Sequence, residues 1–133
     1  MSQIYADADQ FEDLFTQLFA QIETEDTRWM DPLVKAKMVI CFAVREPEAE
    51  MWVDGRTAPV TVTFGPSDLR ATLTAKLAGE TLHELLLGTL PLGKSLSSRR
   101  LKVKGSKFKA LKLESLLHAC QAGYPARADE LLG

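Results

Sequence analysis

The sequence predicts an α+β domain: a five-stranded, mostly antiparallel twisted sheet covered on one face by helices. Three observations carry this. Helical and strand-like periodicities occur in separate runs, with helical runs at both ends. The first four strand-like runs are joined by connections too short for helical crossovers, which favours antiparallel neighbours. At 133 residues, with 46% hydrophobic and 26% charged residues, the chain has the size and composition of a globular domain with a core of its own. We expect residues 1–133 to form a single domain.

Residues 7–23 give the clearest helix. Phe11, Leu14, Phe15, Leu18 and Ile22 recur at helical spacing, with Phe19 beside the stripe. Asp7 or Asp9 serves as cap, and Asp9, Glu12 and Asp13 suit the positive end of the helix dipole. Residues 24–32 read as a polar linker with Trp29 and Met30 embedded. The run "AKMVICFAVRE" (36–46) is apolar in both alternations, as a central strand covered on both faces requires. "AEMWVD" (49–54) follows a turn at Pro47-Glu48, and Asp54-Gly55 marks the next turn. "APVTVTF" (58–64) sets Val60, Val62 and Phe64 on one face and Thr61 and Thr63 on the other.

Gly65-Pro66 breaks that run. Residues 69–77 then alternate strictly, with Leu69, Ala71, Leu73, Ala75 and Leu77 on one face, which predicts a long half-buried strand. "GETLHELLL" (79–87) reads as a short helix stopped by Gly88. "RLKVK" (100–104) is the fifth strand, ended by Gly105. Residues 107–121 form a helix with Phe108, Leu113, Leu116, Leu117 and Cys120 on its stripe and Leu111 widening it. Gly123 and Pro125 are expected to stop that helix, and "ARADELL" (126–132) to make one last short helix. The terminal "YPARADELL" has two readings, a flap over an apolar opening or a plain capping helix.

Composition narrows the function classes. The net charge is −2, so overall charge does not mark a nucleic-acid binder. The acidic N-terminal stretch has no apolar core of the secretory type, and no apolar run approaches the roughly 18 residues of a membrane span. Cys41 and Cys120 sit among apolar neighbours without C-x-x-C spacing, as free thiols of a reducing, cytoplasmic setting do. No metal ligand set and no cofactor is expected. His83 and His118 have no Ser or Cys at a motif spacing, and His118 and Cys120 fall on different helix faces. No residue set meets the requirements of a reaction class.

The stretch "GTLPLGKS" (88–95) matches the phosphate-loop pattern G-x-x-x-x-G-K-[ST], with Lys94 and Ser95 as its ligands. A phosphate loop follows a strand and feeds a long helix. Here a helical run precedes it and only about one turn fits before the fifth strand, so we read it as a connector. Residues 94–112 carry eight basic side chains and no acid. This run is either the solvated side of the fifth strand and its helix or a contact with an anionic membrane surface through Lys102, Lys104 and Lys109. Nucleic acid is not expected, because Phe108 alone interleaves with the charges and the stripe turns it inward.

From Gly88 onward the sequence resembles the sterol carrier protein family, the nonspecific lipid-transfer proteins. Family members carry a helix ending in Gly, a Pro-containing loop, a G-K-L-K-[IV]-x-G strand and a helix with A-x-K-L. The matching residues are Gly88, Leu90-Pro91, Ser95-Leu96, Arg100-Leu101-Lys102-Val103-Lys104-Gly105 and Ala110-Leu111-Lys112-Leu113. Arg99 stands where the family has Gly, and the proline falls one position early. The chain ends in "DELLG" rather than a peroxisomal S-K-L type signal.

The resemblance implies an apolar tunnel between sheet and helices that takes fatty acids, fatty acyl-CoA, sterols or similar lipids, without catalysis. The residues it implies as lipid contacts are Phe11, Phe15, Phe19, Met38, Phe42, Trp52, Leu82, Leu86, Leu96, Phe108 and Leu116. The same side chains also suffice simply to pack a core. The alternative is an accessory or dimerisation domain with a closed core that binds a protein partner. Oligomeric state is left open by the sequence.

Overall fold

The computed structural model describes residues 4–105 and 112–132. Phe108 and Lys109 lie outside them. Helix α1 (Ala8–Glu25) opens the fold, followed by the short α2 (Met30–Lys35). Strands β1 (Val39–Arg45), β2 (Ala49–Asp54), β3 (Thr61–Phe64) and β4 (Leu73–Ala78) come next. Helices α3 (Gly79–Leu87) and α4 (Leu92–Ser97), strand β5 (Leu101–Gly105) and helix α5 (Lys112–Leu132) complete it.

The sheet order is β3-β2-β1-β4-β5. Three pairings are antiparallel: β1 with β2, β2 with β3, and β4 with β5. The pair at the centre differs from the expectation. β4 lies parallel to β1, with Ile40 opposite Leu73 and Val44 opposite Leu77. Parallel neighbours need a long connection. Here the connection is residues 46–72, the β2–β3 hairpin plus a strap that crosses the outer face of the sheet, so no helix is required.

The alternation over 69–77 therefore spans two structures. Leu73, Ala75 and Leu77 of β4 are fully buried on the inner face. Leu69 and Ala71 belong to the strap, where they pack against Val39, Cys41 and Trp52 on the outer face. The Trp52 indole donates to the Gly65 carbonyl at 3.0 Å and pins the start of the strap. This second cluster explains why β1 is apolar in both alternations.

Helix α1 is capped as its sequence suggests. Asp7 Oδ1 accepts from the Gln10 N–H at 2.8 Å, and Gln10 Oε1 reaches back to the Ala6 N–H at 2.7 Å. Helix α2 replaces the expected linker. Its Pro32 stands in the first helical turn, where a missing N–H costs nothing, and Met30 and Leu33 are buried. Helix α5 runs through both expected stops. Gly123 is buried against α1, and a Cβ there would sit 3.1–3.2 Å from the Gln21 and Leu18 side chains. It is a close-approach glycine rather than a terminator, and Pro125 lies inside the helix.

Gly88 ends α3 in the left-handed conformation, φ +81°. Arg99 adopts the same region after α4, φ +62°, at the position where a glycine was expected. A left-handed L-residue costs about 1–2 kcal/mol, and a glycine gives back about 0.5–1 kcal/mol through the unfolded chain. Arg99→Gly is expected to raise stability by roughly 0.5–1 kcal/mol, read as a higher urea midpoint at unchanged slope.

Candidate functional site

The inner sheet face and the helices share one apolar cluster. Ile40, Phe42 and Val44 of β1 meet Phe11, Phe15 and Phe19 of α1, Leu82 and Leu86 of α3, and Leu116 of α5. Met38, just before β1, joins them. The rings of Phe11 and Phe15 lie 4.6 Å apart, and Phe15 lies 6.0 Å from the Tyr124 ring. Thus eight of the residues singled out from the sequence, Phe11, Phe15, Phe19, Met38, Phe42, Leu82, Leu86 and Leu116, are brought together between sheet and helices.

Two described residues of that set lie elsewhere. Trp52 is on the outer face, because it pairs with Cys41 while its neighbours Met51 and Val53 turn inward. Leu96 of α4 is exposed. Phe108 falls outside the described residues.

Four hollows among the described residues border these elements; one, about 650 Å³, lies between α1 and β3 and is lined by Asp9, Glu12, Asp13, Thr16, Thr63 and Phe64. The largest, about 830 Å³, lies at the end of β1 and β2. Six charged residues, Glu12, Arg45, Glu46, Glu48, Glu50 and Lys76, share its lining with Ala8, Ala43, Val44, Ala49, Gly65 and Pro66. A smaller one, about 390 Å³, is a groove between the end of α1, α2 and α5. Ile22, Trp29, Pro32, Ala119 and Ala122 supply apolar walls, and Glu25, Asp26, Arg28, Ser115 and His118 line its polar parts. Trp29 lies 6.0 Å from Phe19, ring centre to ring centre, so the groove abuts the inner cluster. The smallest of the four, about 270 Å³, lies between α3, α4 and α5, lined by Leu85, Leu90, Leu92, Leu117 and His118. His118 borders the two smallest hollows.

Electrostatics mark the groove. Asp26 binds Arg28 at 2.9 Å, and the guanidinium holds the Asp26 carboxyl down at about 2. Arg28 is therefore already engaged, and Glu25 leaves this rim acidic. The Trp29 Nε1–H is buried and has no hydrogen-bond partner among the described residues. Buried donors are nearly always paired, so this one marks a place where an acceptor is missing. The sequence had embedded Trp29 in an apparent linker, and its pattern of Met30 and Leu33 around Pro32 was the available signal for a helix there.

Neither cysteine is activated as a nucleophile. Burial pushes the Cys120 thiol up to about 12, and burial with the nearby Glu50 carboxylate pushes Cys41 up to about 11. Ser95 is fully buried and donates to the Leu92 carbonyl at 2.6 Å, so it is not presented to a phosphate-bound metal. Among the described residues, no group of three His, Cys, Asp or Glu could hold a metal ion.

A sequence profile of the SCP-2 sterol transfer family matches residues 15–118. The chain belongs to this family. The SCP-2 assignment covers α1 from Phe15, the whole sheet and the first part of α5. Solved structures agree in fold. The sterol carrier protein domain 2 of Helicoverpa armigera matches at TM-score 0.67 and 18% identity, over 92% of this chain and 95% of that one. A palmitated SCP2L2 from Aedes aegypti matches at TM-score 0.60 and 18% identity, over 80% of this chain and 93% of that one. The sec-alkylsulfatase Pisa1 from Pseudomonas sp. matches at TM-score 0.55 and 20% identity, over 68% of this chain but 14% of that one. No curated protein sequence matches the chain.

Proposed function

We propose that this SCP-2 family chain is one lipid-binding domain that carries a lipid, without turnover, in the apolar layer between sheet and helices. The groove beside Trp29 is its mouth. The observation that carries this reading is the position of that groove, bounded by α1, α2 and α5 and backed by Phe19. The chain of the ligand displaces contacts among Phe11, Phe15, Phe19, Met38, Phe42, Leu82, Leu86 and Leu116. Each methylene that leaves water contributes about 0.8 kcal/mol, so a long chain needs few polar contacts. The acidic rim disfavours a carboxylate head. An uncharged oxygen, such as a sterol hydroxyl, suits the unpartnered Trp29 donor better.

Exposed Lys76 and Lys102 stand opposite each other on the outer face, with Lys104 one row along, opposite Thr74. We assign this row to an anionic membrane surface during lipid exchange. No described helix is long and apolar enough to cross a membrane. The free, buried Cys41 and Cys120 fit a reducing, cytoplasmic setting.

Ala119→Trp tests the mouth by filling the groove from α5. Uptake of a fluorescent sterol is expected to fall at least about tenfold, with global stability within about 0.5 kcal/mol of the parent. The parent is expected to bind the sterol more tightly than a fluorescent fatty acid. Flat titrations with both probes, together with native mass spectra free of lipid, would overturn the reading.

A further inference from the structure

A chain of three polar groups crosses the apolar core. Tyr5 Oη lies 2.6 Å from Tyr124 Oη, and Tyr124 Oη lies 2.7 Å from His83 Nδ1. Tyr5 comes from the segment before α1, His83 from α3 and Tyr124 from α5. Both tyrosines are completely buried, and His83 is half-buried. The Tyr5 ring is set edge-on to Phe11, Phe15 and His83. Gly79 makes room for it, since a Cβ there would sit 3.1 Å from the Tyr5 ring. The three groups thus join the N-terminal segment to two helices at one point.

Hydrogen bookkeeping fixes the direction of the chain. In one order every hydrogen is used. The Tyr5 O–H donates to Tyr124, and the Tyr124 O–H donates to an unprotonated Nδ1 of a neutral His83. A protonated imidazole donates from both nitrogens, which removes the acceptor of the Tyr124 hydrogen. Either Tyr124 then donates to Tyr5 and the Tyr5 hydrogen is stranded, or Tyr124 Oη accepts from both neighbours and its own hydrogen is stranded; in each case one phenolic hydrogen is left in the core with no acceptor among the described residues. A stranded buried donor is the expensive case in hydrogen-bond energetics.

We propose that Tyr5, Tyr124 and His83 form a proton-operated clasp: protonation of His83 strands a buried phenolic hydrogen and releases the N-terminal segment and the middle of α5 from one another. Tyr5 and Phe15, which it touches, lie at the wall of the apolar layer, so release loosens that wall.

The surroundings of His83 set the pH window. Burial lowers its proton affinity, while the Glu84 and Glu80 carboxylates on α3 oppose this. Glu84 is itself paired with Arg100, which precedes β5. From the N-terminal segment and α5 the facing groups are Tyr5 and Tyr124, both held protonated well above neutral pH by burial. The net shift takes His83 below its ordinary 6.5. The fold therefore binds fewer protons than the open chain just below that value. The clasp is fully closed above about pH 6.5 and weakens, by up to about tenfold per pH unit, as the pH falls through it. Asp26, held at about 2, titrates well outside this window.

Hydrogen exchange on the intact chain at about pH 7.5 and about pH 5, corrected for intrinsic rates, tests the clasp. In the parent, protection of residues 4–11 and 120–128 should fall relative to β1 and β4, by up to about tenfold for each pH unit below 6.5. His83→Gln, which cannot become charged, should show no such fall. Equal protection at both pH values in the parent overturns the proposal, as does the same fall in His83→Gln. Should that variant not fold, nitrogen shifts of the parent imidazole decide. A neutral ring carrying its hydrogen on Nε2, titrating below 6.5, supports the clasp. A ring carrying it on Nδ1 overturns it. Lipid titrations are read separately, so failure of the clasp leaves the carrier reading standing.

Discussion

Phe15→Ala is expected to cost about 3–5 kcal/mol, the range for deleting a buried aromatic ring. Phe15 is 1% exposed and touches Phe11, Tyr5 and Tyr124. Domains of this size are stable by about 5–15 kcal/mol, so the variant stays folded but marginal. Urea unfolding monitored by circular dichroism measures the loss. The same experiment in the presence of a long-chain alcohol separates two roles of the ring. If Phe15 stands on the path of the bound chain, the lipid occupies the space it leaves and restores part of the midpoint. If Phe15 packs only against protein, the midpoint is indifferent to lipid.

Replacing Lys76, Lys102 and Lys104 together by Gln is expected to weaken partition onto phosphatidylglycerol-rich vesicles on the order of 100-fold. Each lysine near such a surface is worth about 1 kcal/mol, and the three are adjacent on β4 and β5. Vesicle sedimentation measures it. The parent should release as salt shortens the screening length from ~10 Å at 0.1 M toward ~3 Å at 1 M. Phosphatidylcholine vesicles should bind neither protein. β5 is an edge strand, and lysines also guard edges against pairing with other chains. Unchanged partition with new aggregation would give the lysines that guarding role instead of membrane contact.

The parts of the fold that were legible in the sequence are those where one side chain pattern serves one surface. The α1 stripe and the Gly88 stop are of this kind. The double apolarity of β1 correctly marked it as central, because helices cover one face and the strap covers the other. The illegible parts are those where one pattern serves two surfaces. Leu69 and Ala71 continue the β4 alternation in sequence, yet the chain turns at the strap and delivers them to the opposite face. Pro32 read as part of a linker and Pro125 as a helix stop, but one lies in a first turn and the other inside a helix packed on α1.

The candidate site divides in the same way. Residues with a helical or strand period gathered in the inner cluster, as the sequence suggested. Trp52 was separable from them by the alternation of Met51 and Val53, which places it with Cys41 outside. The groove at Trp29 had no period to betray it. It arises where three helices fail to meet completely, and that gap depends on tertiary packing alone. Arg99 records the reverse situation: the backbone keeps the left-handed turn although the residue that favours it is absent.

The parallel pairing of β1 with β4 sets the order in which the molecule can assemble. A nascent chain that has exposed only its first 72 residues holds β1, β2 and β3 but offers β1 no second partner. The apolar inner edge of β1 stays open until Leu73–Ala78 emerges and closes it. Such non-local closure slows folding relative to hairpin-by-hairpin growth. The first half of the chain is then a fragment that waits for the second, and an internal stop before β4 would leave a product prone to associate through that edge.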